Sequence, residues 1–328
     1  MSLRRYAAAL TLVVGLTAAC GYAPTPLPTT ASPSSSSSAG SSTSAPSPTT
    51  TAAPCTDPLR SYAPTGSLPD PKTFDSGAST MAKIKARGRL IAGVSADTYL
   101  FASRNPFSGQ IEGFDIDIVN AIAAAIFGEA KGHVQLRVIT AADRIPLLEQ
   151  HEVDVVVRTM TITCDRWTQI AFSSEYYLAG QKILVRKGSG ITSLAQLAGH
   201  RVCAPAGTSS MATLVREAPT AIAVAATNHT GCLAKFQEGQ VDAITGDDTV
   251  LAGLAAQDPY AEVTGERFTD EPYGVGIAQD EVDLVRFVNG VLQRMRTDGA
   301  WTASYNHWLA ATLGKAPAPP AAQYGRTP

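Results

Sequence analysis

The sequence has few charged residues and no marked excess of either sign. Charged side chains make up 16% of its 328 residues, and the formal net charge is −2 at pH 7. A protein that binds nucleic acid presents a basic surface to the phosphates, so this balance gives no support for such a partner. The chain also lacks the long apolar runs of a polytopic membrane protein. Only residues 7–19 form an uncharged apolar stretch, and a bilayer span needs roughly 20 residues.

Familiar catalytic and metal-binding motifs are missing as well. The five cysteines form no C-x-x-C pair and no zinc-binding spacing, and G-x-S-x-G, H-E-x-x-H and phosphate-loop motifs are absent. We therefore expect no metal and no cofactor. Apolar residues make up 45% of the sequence, which is enough to bury a large core, and the length predicts about two domains.

The first 20 residues have the organisation of a secretory signal. Arg4 and Arg5 precede an apolar segment, and small residues lead up to Cys20. The ending Leu-Thr-Ala-Ala-Cys resembles a bacterial lipobox, in which Cys20 is acylated and becomes the first residue of a lipoprotein. Such a protein lies at the extracytoplasmic face of the cell membrane. The alternative is ordinary cleavage at an A-x-A-like site, with Cys20 removed or free.

Residues 21–54 have the composition of a disordered tether. Of these 34 residues, 32 are Ser, Thr, Pro, Ala or Gly, seven of them are proline, and none is charged. Such a segment cannot bury enough apolar surface to offset the entropy that ordering would cost. A tether after a lipid-attachment cysteine would lift a folded domain off the membrane. The alternative is a low-complexity segment without a function.

Strands alternate with helices through most of the remaining chain. Apolar and β-branched runs predict strands over 89–95, 134–139, 153–158, 182–186, 201–205, 222–227 and 241–245. Helical periodicity predicts helices over 114–127, 142–151, 193–197, 209–217, 232–238, 249–256, 282–298 and 300–311. This alternation predicts α/β architecture with parallel sheets covered on both faces, and two such sets predict two lobes. Residues 315–328 are rich in Pro and Ala and are expected to be a loose tail.

Four cysteines follow the tether. An even number in an exported protein favours disulfides. Cys203 and Cys232 lie in strand-like and helix-like runs of one region, which favours pairing between them and leaves Cys55 for Cys164. The second bond would attach the folded end of the tether to the body. Free buried thiols are the alternative.

Several segments resemble those of bacterial extracellular solute-binding proteins of family 3, which bind polar amino acids, and they follow one another in the same order as in that family. They include residues 112–118 (EGFDIDI), 159–166 (TMTITCDR), 194–202 (LAQLAGHRV), 241–248 (VDAITGDD) and 298–301 (DGAW). The resemblance implies two α/β lobes of the type II periplasmic-binding-protein (Venus-flytrap) fold, joined by two hinge crossings, with the ligand in the cleft. The first lobe would comprise residues 80–180 and 272–314, and the second residues 181–271, after an extension over 55–79.

The resemblance also implies how the ends of an amino acid are held. Arg166 would bind the ligand carboxylate together with Thr161, Thr208 and Ser209, and Asp247 would bind the ammonium group. Both ligand charges need such partners because burying an unpaired charge is costly. Taken singly, these residues have plainer explanations. Arg166 could be a surface arginine, Asp247 a helix cap, and the Gly-Thr-Ser-Ser turn an ordinary helix start.

Charge counting bears on which amino acid is bound. Arg158 ends a predicted strand near Thr161 and could bind a side-chain carboxylate or amide, which favours glutamate, aspartate, glutamine or asparagine. In the alternative, Arg158 pairs with Asp154 or Asp165.

Three further residues are candidates for side-chain recognition. They are Tyr99, Phe101 and Asp248. In the family the first two would lie over the ligand's carbon chain, and ordinary core packing is the alternative. Asp248 could equally be a helix cap.

The resemblance implies a monomeric, lipid-anchored receptor that passes its amino acid to an ABC permease. A sensor that reports ligand occupancy to a membrane signalling partner would use the same lobes. A dehydratase-type enzyme on this fold is the alternative of another class, and it needs a general acid or base in the cleft. His229 and Glu175 are the only nearby candidates, and neither falls at a binding position of the family. No nucleic-acid partner is expected.

Overall fold

The computed structural model describes residues 55–327. The predicted signal segment, Cys20 and the tether lie outside these residues. Within this part of the chain, no helix combines the length and the hydropathy that crossing a bilayer requires.

Strands and helices alternate along the described chain. The strands are Arg60–Ser61 (β1), Leu90–Val94 (β2), Asp97–Thr98 (β3), Ala102–Arg104 (β4), Ile111–Glu112 (β5), Val134–Val138 (β6), Val155–Val156 (β7), Ile170–Phe172 (β8), Tyr177–Arg186 (β9), Arg201–Pro205 (β10), Ile222–Ala226 (β11), Ala243–Asp247 (β12), Ala261–Tyr273 (β13), Gly276–Ala278 (β14) and Gln323–Tyr324 (β15). The helices are Thr80–Arg87 (α1), Phe114–Phe127 (α2), Arg144–Glu149 (α3), Cys164–Trp167 (α4), Ser209–Glu217 (α5), His229–Gln237 (α6), Asp248–Ala255 (α7), Val282–Thr297 (α8), Ala300–Trp308 (α9) and Ala310–Leu313 (α10), with short 3₁₀ helices at Pro71–Phe74 and Leu194–Leu197.

Two five-stranded sheets form the centres of two α/β lobes. The strand order is β6–β2–β7–β14–β8 in the first lobe and β11–β10–β12–β9–β13 in the second. In each sheet three strands pair in parallel, and the remaining pairings are antiparallel. The expectation of wholly parallel sheets is therefore wrong. These antiparallel pairings all involve strands next to the crossings, namely β8, β9, β13 and β14.

Strands β9 and β13 carry the chain between the lobes. They pair antiparallel from Tyr177 opposite Tyr273 to Arg186 opposite Ala261, with an irregularity between Thr264 and Thr269. The chain leaves the first sheet after β8 and rejoins it at β14. This path confirms the two-lobed α/β fold with two crossings.

Helix α2 forms much of the core of the first lobe and has the predicted bounds. Phe114, Ile118, Ile122 and Ile126 lie four residues apart and are fully buried, as one helical face requires. The helix starts after Gly113, whose φ is +139°. A Cβ atom there would lie 2.3 Å from the carbonyl oxygen of Phe101, so the close approach of the two segments requires glycine.

The core of the second lobe includes a disulfide. Cys203 on β10 and Cys232 on α6 are bonded, with their Cα atoms 5.5 Å apart, and both residues are fully buried. Leu184, Phe236 and Ile244 pack in the same cluster.

The two ends of the described chain meet on the first lobe. Strand β15 pairs in parallel with β1, placing Gln323 opposite Arg60 and Tyr324 opposite Ser61. The expectation of a loose tail over 315–328 is therefore wrong for this part of it. Backbone hydrogen bonds hold the tail, and a Pro/Ala-rich composition gives little sign of them because they do not depend on an apolar side-chain pattern.

Candidate functional site

Helix α4 positions Arg166 in the first lobe. The helix is a single turn, and the hydroxyl of Thr163 caps it by accepting a hydrogen bond from the Arg166 amide at 3.2 Å. The Arg166 guanidinium is buried and donates to the carbonyl oxygens of Thr161 at 2.5 Å and Gly207 at 3.4 Å. Gly207 belongs to the second lobe, so the side chain reaches across the boundary between the lobes. Arg166 is therefore not the surface arginine of the alternative interpretation.

Asp247 lies at the junction of β12 and α7 in the second lobe. It occupies the position before the helix, but its carboxylate makes no capping hydrogen bond. The carboxylate accepts hydrogen bonds from the Tyr273 hydroxyl at 2.6 Å and the Ser210 hydroxyl at 3.4 Å. Burial raises the pKa of Asp247 to about 7, and the nearby Glu271 carboxylate adds to this rise. A helix-capping role therefore does not explain the burial of Asp247.

The charges of Arg166 and Asp247 interact across the two lobes. Burial lowers the pKa of Arg166, whereas the Glu271 and Asp247 carboxylates raise it. Neither Arg166 nor Asp247 forms a salt bridge within residues 55–327. Both charges are thus buried without a salt-bridge partner among these residues.

Glu271 on β13 is a member of the site that the sequence did not reveal. One oxygen of its buried carboxylate accepts hydrogen bonds from the hydroxyls of Thr161 at 2.6 Å and Ser209 at 2.7 Å. The other oxygen accepts from Thr269 at 2.7 Å. A hydroxyl has one hydrogen to donate, so those of Thr161 and Ser209 are directed to Glu271. The only sequence signal was the position of Glu271 near the second crossing.

The turn before α5 brings backbone N–H groups to the same region. Thr208 caps the helix, since its hydroxyl accepts from the Met211 amide at 3.1 Å and donates to the Pro205 carbonyl at 2.7 Å. The N–H groups of a first helical turn have no partners within the helix. Gly207 has φ +73°, and a Cβ atom on it would lie 2.8 Å from Cα of Ala142 in the first lobe. The backbones of the two lobes therefore touch at this turn.

Arg144, which the sequence analysis did not single out, completes a cluster of three buried arginines with Arg158 and Arg166. It donates to the carbonyl oxygens of Ala141 at 2.9 Å, Arg158 at 3.3 Å and Gly207 at 3.0 Å. Burial lowers its pKa, and the charges of Arg166 and Arg158 lower it further. Arg144 follows soon after β6, so its position at the carboxyl end of a parallel strand was the signal that could have identified it.

Arg158 does not pair with either carboxylate that the alternative interpretation named. Asp154 instead forms a salt bridge with Arg87 and accepts from the Ile91 amide at 2.7 Å, and no salt bridge within residues 55–327 joins Arg158 to Asp165. The Arg158 Nε atom donates to the Ile139 carbonyl at 2.9 Å.

Polar groups without partners lie around Arg158. Asp97 Oδ2 and His229 Nε2 are buried and have no hydrogen-bond partner among the described residues. Asp97 and Arg158 interact electrostatically with each other and with His229. Burial lowers the pKa of His229 to about 4, so its imidazole is neutral at pH 7. A ligand side chain that both accepts and donates hydrogen bonds would complement this group.

The other side-chain candidates have different surroundings. Phe101 is fully buried and makes edge contacts with the rings of Phe114, Tyr177 and Tyr273, which favours core packing. Tyr99 is 46% exposed and lies against α7 of the second lobe. Asp248 forms a salt bridge at 2.6 Å with Arg267 on β13. A role for Asp248 in side-chain recognition is therefore not supported, because its carboxylate already has a cation.

Comparison with known proteins identifies the family. The family model "Bacterial extracellular solute-binding proteins, family 3" matches residues 90–311. The glutamine-binding protein GlnH of an ABC transporter from Bacillus subtilis (strain 168) is 39% identical over 236 residues, which cover 72% of this chain and 86% of that protein. The glutamate-binding protein GluB of Corynebacterium efficiens is 29% identical over 252 residues, 74% of this chain and 84% of that protein.

A solved structure shows the same architecture. The solute receptor for L-cysteine of Neisseria gonorrhoeae superposes with a TM-score of 0.69 and 25% identity, covering 72% of this chain and 96% of that one. The family and these relatives are solute-binding proteins and not enzymes. The two α/β lobes and the two crossings agree with the family match over residues 90–311. This chain belongs to the bacterial extracellular solute-binding proteins of family 3.

Proposed function

We propose that this protein is an extracellular receptor that binds glutamate, aspartate, glutamine or asparagine between its two lobes. The observation that carries the proposal is that Arg166 and Asp247 are both buried and neither has a salt-bridge partner within residues 55–327. The two residues come from different lobes, are buried, and interact electrostatically without a salt bridge of their own. A zwitterion supplies a carboxylate for the guanidinium and an ammonium group for the carboxylate, so it compensates both buried charges at once.

The ligand carboxylate would be held by Arg166 and by backbone amides at the start of α5. Guanidinium groups bind carboxylates with two parallel hydrogen bonds, and the first N–H groups of a helix favour an anion. The hydroxyls of Thr161 and Ser209 donate to Glu271. We therefore infer that these two residues mainly fix the two walls of the site and that Arg166 provides most of the carboxylate affinity.

The region around Arg158 would bind the ligand side chain. Arg144 and Arg158 bring positive charge, which suits a side-chain carboxylate. Asp97 has an unpartnered carboxylate oxygen, which suits the donor hydrogens of an amide. This combination supports the acidic amino acids and their amides as one ligand class. The relatives, a glutamine-binding and a glutamate-binding protein, support the same class.

Delivery to an ABC permease and a lipid anchor complete the proposal. A relative of this chain is named as the binding protein of an ABC transporter, which supports transfer of the amino acid to a permease. The lipobox-like sequence ending at Cys20 and the uncharged segment after it support attachment of the receptor to the outer face of the cell membrane. We propose that the receptor is a monomer.

A panel of the twenty amino acids tests the proposal. Binding is measured by isothermal titration calorimetry and by the shift in thermal unfolding. A ligand at one hundred times its Kd stabilises the folded protein by about 2.7 kcal/mol, which such a shift detects readily. We expect binding by one or more of glutamate, aspartate, glutamine and asparagine, and weak or no binding by apolar amino acids. Absence of binding by all four would contradict the proposal.

A further inference from the structure

Helix α4 contacts the terminal segments of the chain as well as the candidate site. Arg166 extends from this helix toward the second lobe. Cys164 and Trp167 of the same turn contact residues near the amino and carboxyl ends of the described chain. The helix has four residues, and so short a helix is not stable without contacts to its surroundings. The orientation of Arg166 therefore depends on what holds α4.

The amino-terminal extension holds both ends of the helix. Cys55 is disulfide-bonded to Cys164, with the Cα atoms 5.4 Å apart. The indole N–H of Trp167 donates to the carbonyl oxygen of Pro58 at 2.8 Å, and the Trp167 ring packs edge-on against Tyr62 at 6.1 Å. Trp167 is 7% exposed, so these contacts are almost closed to water.

The carboxyl-terminal segment covers the same indole ring. The guanidinium carbon of Arg326 lies 3.7 Å from the centre of the Trp167 ring, within the range of a cation–π contact. Arg326 also donates to the carbonyl oxygens of Arg60 at 2.8 Å and Asp57 at 3.3 Å. One side chain thus joins the tail, the extension and α4.

Both segments are themselves tied to the first lobe. Asn289 of α8 donates to the Ser61 hydroxyl at 2.9 Å and to the Tyr62 carbonyl at 2.7 Å. Arg296 of the same helix donates to the Pro320 carbonyl at 2.8 Å. The extension and the tail are therefore fixed supports for α4.

We propose that the segments 55–62 and 320–327 position Arg166 for carboxylate binding, acting through Cys164 and Trp167. This inference rests on the proposed function of Arg166. A binding group works only when neighbouring contacts hold it near the productive geometry, to roughly 0.5 Å. Release of α4 from its supports would let the guanidinium move away from the carboxylate position. The terminal segments are thus positioning elements of the receptor, although they lie outside the matched family region, residues 90–311.

The two disulfides within residues 55–327 provide a matched pair of variants. The first is Cys55→Ser with Cys164→Ser, which releases α4. The second is Cys203→Ser with Cys232→Ser, which removes a buried bond from the second lobe. Kd values for glutamate, aspartate and their amides are measured by calorimetry well below the unfolding temperature. We expect the first variant to raise Kd about tenfold, by a similar factor for every ligand that binds, because all of them share the α-carboxylate. The second variant should lower thermal stability and leave Kd within about twofold of the wild type.

A double-mutant cycle separates positioning from general loosening. The Cys55/Cys164 change is repeated in an Arg166→Lys protein, which lacks the bidentate contact. We expect the Cys55/Cys164 change to alter the Kd of the Arg166→Lys protein by less than about twofold. Arg326→Ala should weaken binding in the wild-type background, and Arg326→Lys should restore part of the affinity because it keeps a cation over the indole ring. If the Cys55/Cys164 variant does not fold, the Kd values of the two Arg326 variants test the inference.

Three results would overturn the inference. One is a Kd in the Cys55/Cys164 variant that equals the wild-type Kd. Another is a Cys55/Cys164 change that raises Kd by the same factor in the Arg166→Lys protein as in the wild type. The third is wild-type Kd in Arg326→Ala. In each case the wild-type protein still binds its amino acid, so the proposed function stands. A wild-type protein that binds none of the four amino acids contradicts the proposed function itself.

Discussion

The two lobes bring different chemistry to the boundary between them. The first lobe holds three arginines close together, namely Arg144, Arg158 and Arg166. The second holds the carboxylate of Asp247 and the backbone turn before α5. Under the proposed function, an amino acid that satisfies both sides would touch both lobes, so its binding would be coupled to their closing. A ligand with only one of the two charges would leave the other side uncompensated.

Replacement of Arg166, the positive group proposed to bind the ligand carboxylate, should have the largest effect on affinity. Arg166→Ala would leave the ligand carboxylate buried without its cation, which costs about 3–5 kcal/mol. We expect loss of measurable amino-acid binding in calorimetry, with a folded protein by circular dichroism. Arg137→Ala is the matched control, because Arg137 forms a half-exposed salt bridge with Glu152 on the surface of the same lobe. Equal affinities of the two variants would remove Arg166 from the site.

Asp247, the negative group proposed to bind the ligand ammonium, should make binding depend on pH. Burial raises the pKa of Asp247 to about 7, and only the carboxylate form can pair with an ammonium group. As pH falls below about 7, a growing fraction of Asp247 is protonated, and Kd should rise by up to about tenfold per pH unit. Binding should also release a proton, since the ammonium favours the charged form.

Calorimetry between pH 5.5 and 8.5 in buffers of different ionisation enthalpy measures both effects. Asp247→Asn, which keeps the shape of the side chain, should weaken binding at every pH and flatten the profile. A wild-type profile that is flat over this range would show that Asp247 does not carry the ammonium interaction.

A smaller effect should distinguish the ligand side chains. Arg158→Ala removes one of the two arginines nearest the proposed side-chain pocket. Hydrogen bonds to charged groups contribute about 1.5–3 kcal/mol and those to neutral groups about 1 kcal/mol. Glutamate and aspartate should therefore lose at least several-fold more affinity than glutamine and asparagine. Equal losses for acids and amides, measured by calorimetry on the same protein, would show that Arg158 does not read the side-chain charge.

Local patterns predicted the parts of the molecule that depend on near neighbours in sequence. Helices α2 and α5 and strand β10 have the predicted bounds because amphipathic spacing and turn residues are properties of short segments. Helix 300–311 is instead divided into α9 and α10. Strand β13 was missed because its charged residues do not alternate with apolar ones; it is stabilised by pairing with β9.

The site residues also differ in whether local sequence or long-range contacts reveal them. Arg166 and Asp247 were predicted from ordered motifs, and their role in binding stays a prediction. Glu271 was missed because its hydrogen-bond partners Thr161 and Ser209 lie 110 and 62 residues away in the chain. For Phe101, the sequence showed only an aromatic residue near the predicted site. Its burial among three other rings depends on the packing of several elements.

Short stretches of chain were enough to predict the two α/β lobes and the family, because periodicity, turn chemistry and ordered motifs are local properties. The assignment of Arg166 and Asp247 to the two ends of an amino acid rests on the same motifs and stays a prediction. Other contacts emerge only in the folded chain: those of Glu271 with Thr161 and Ser209, of Arg144 with Arg158, and of Arg326 with the Trp167 ring. These contacts join residues far apart in sequence, and their energy arises from burial and geometry that no local pattern contains.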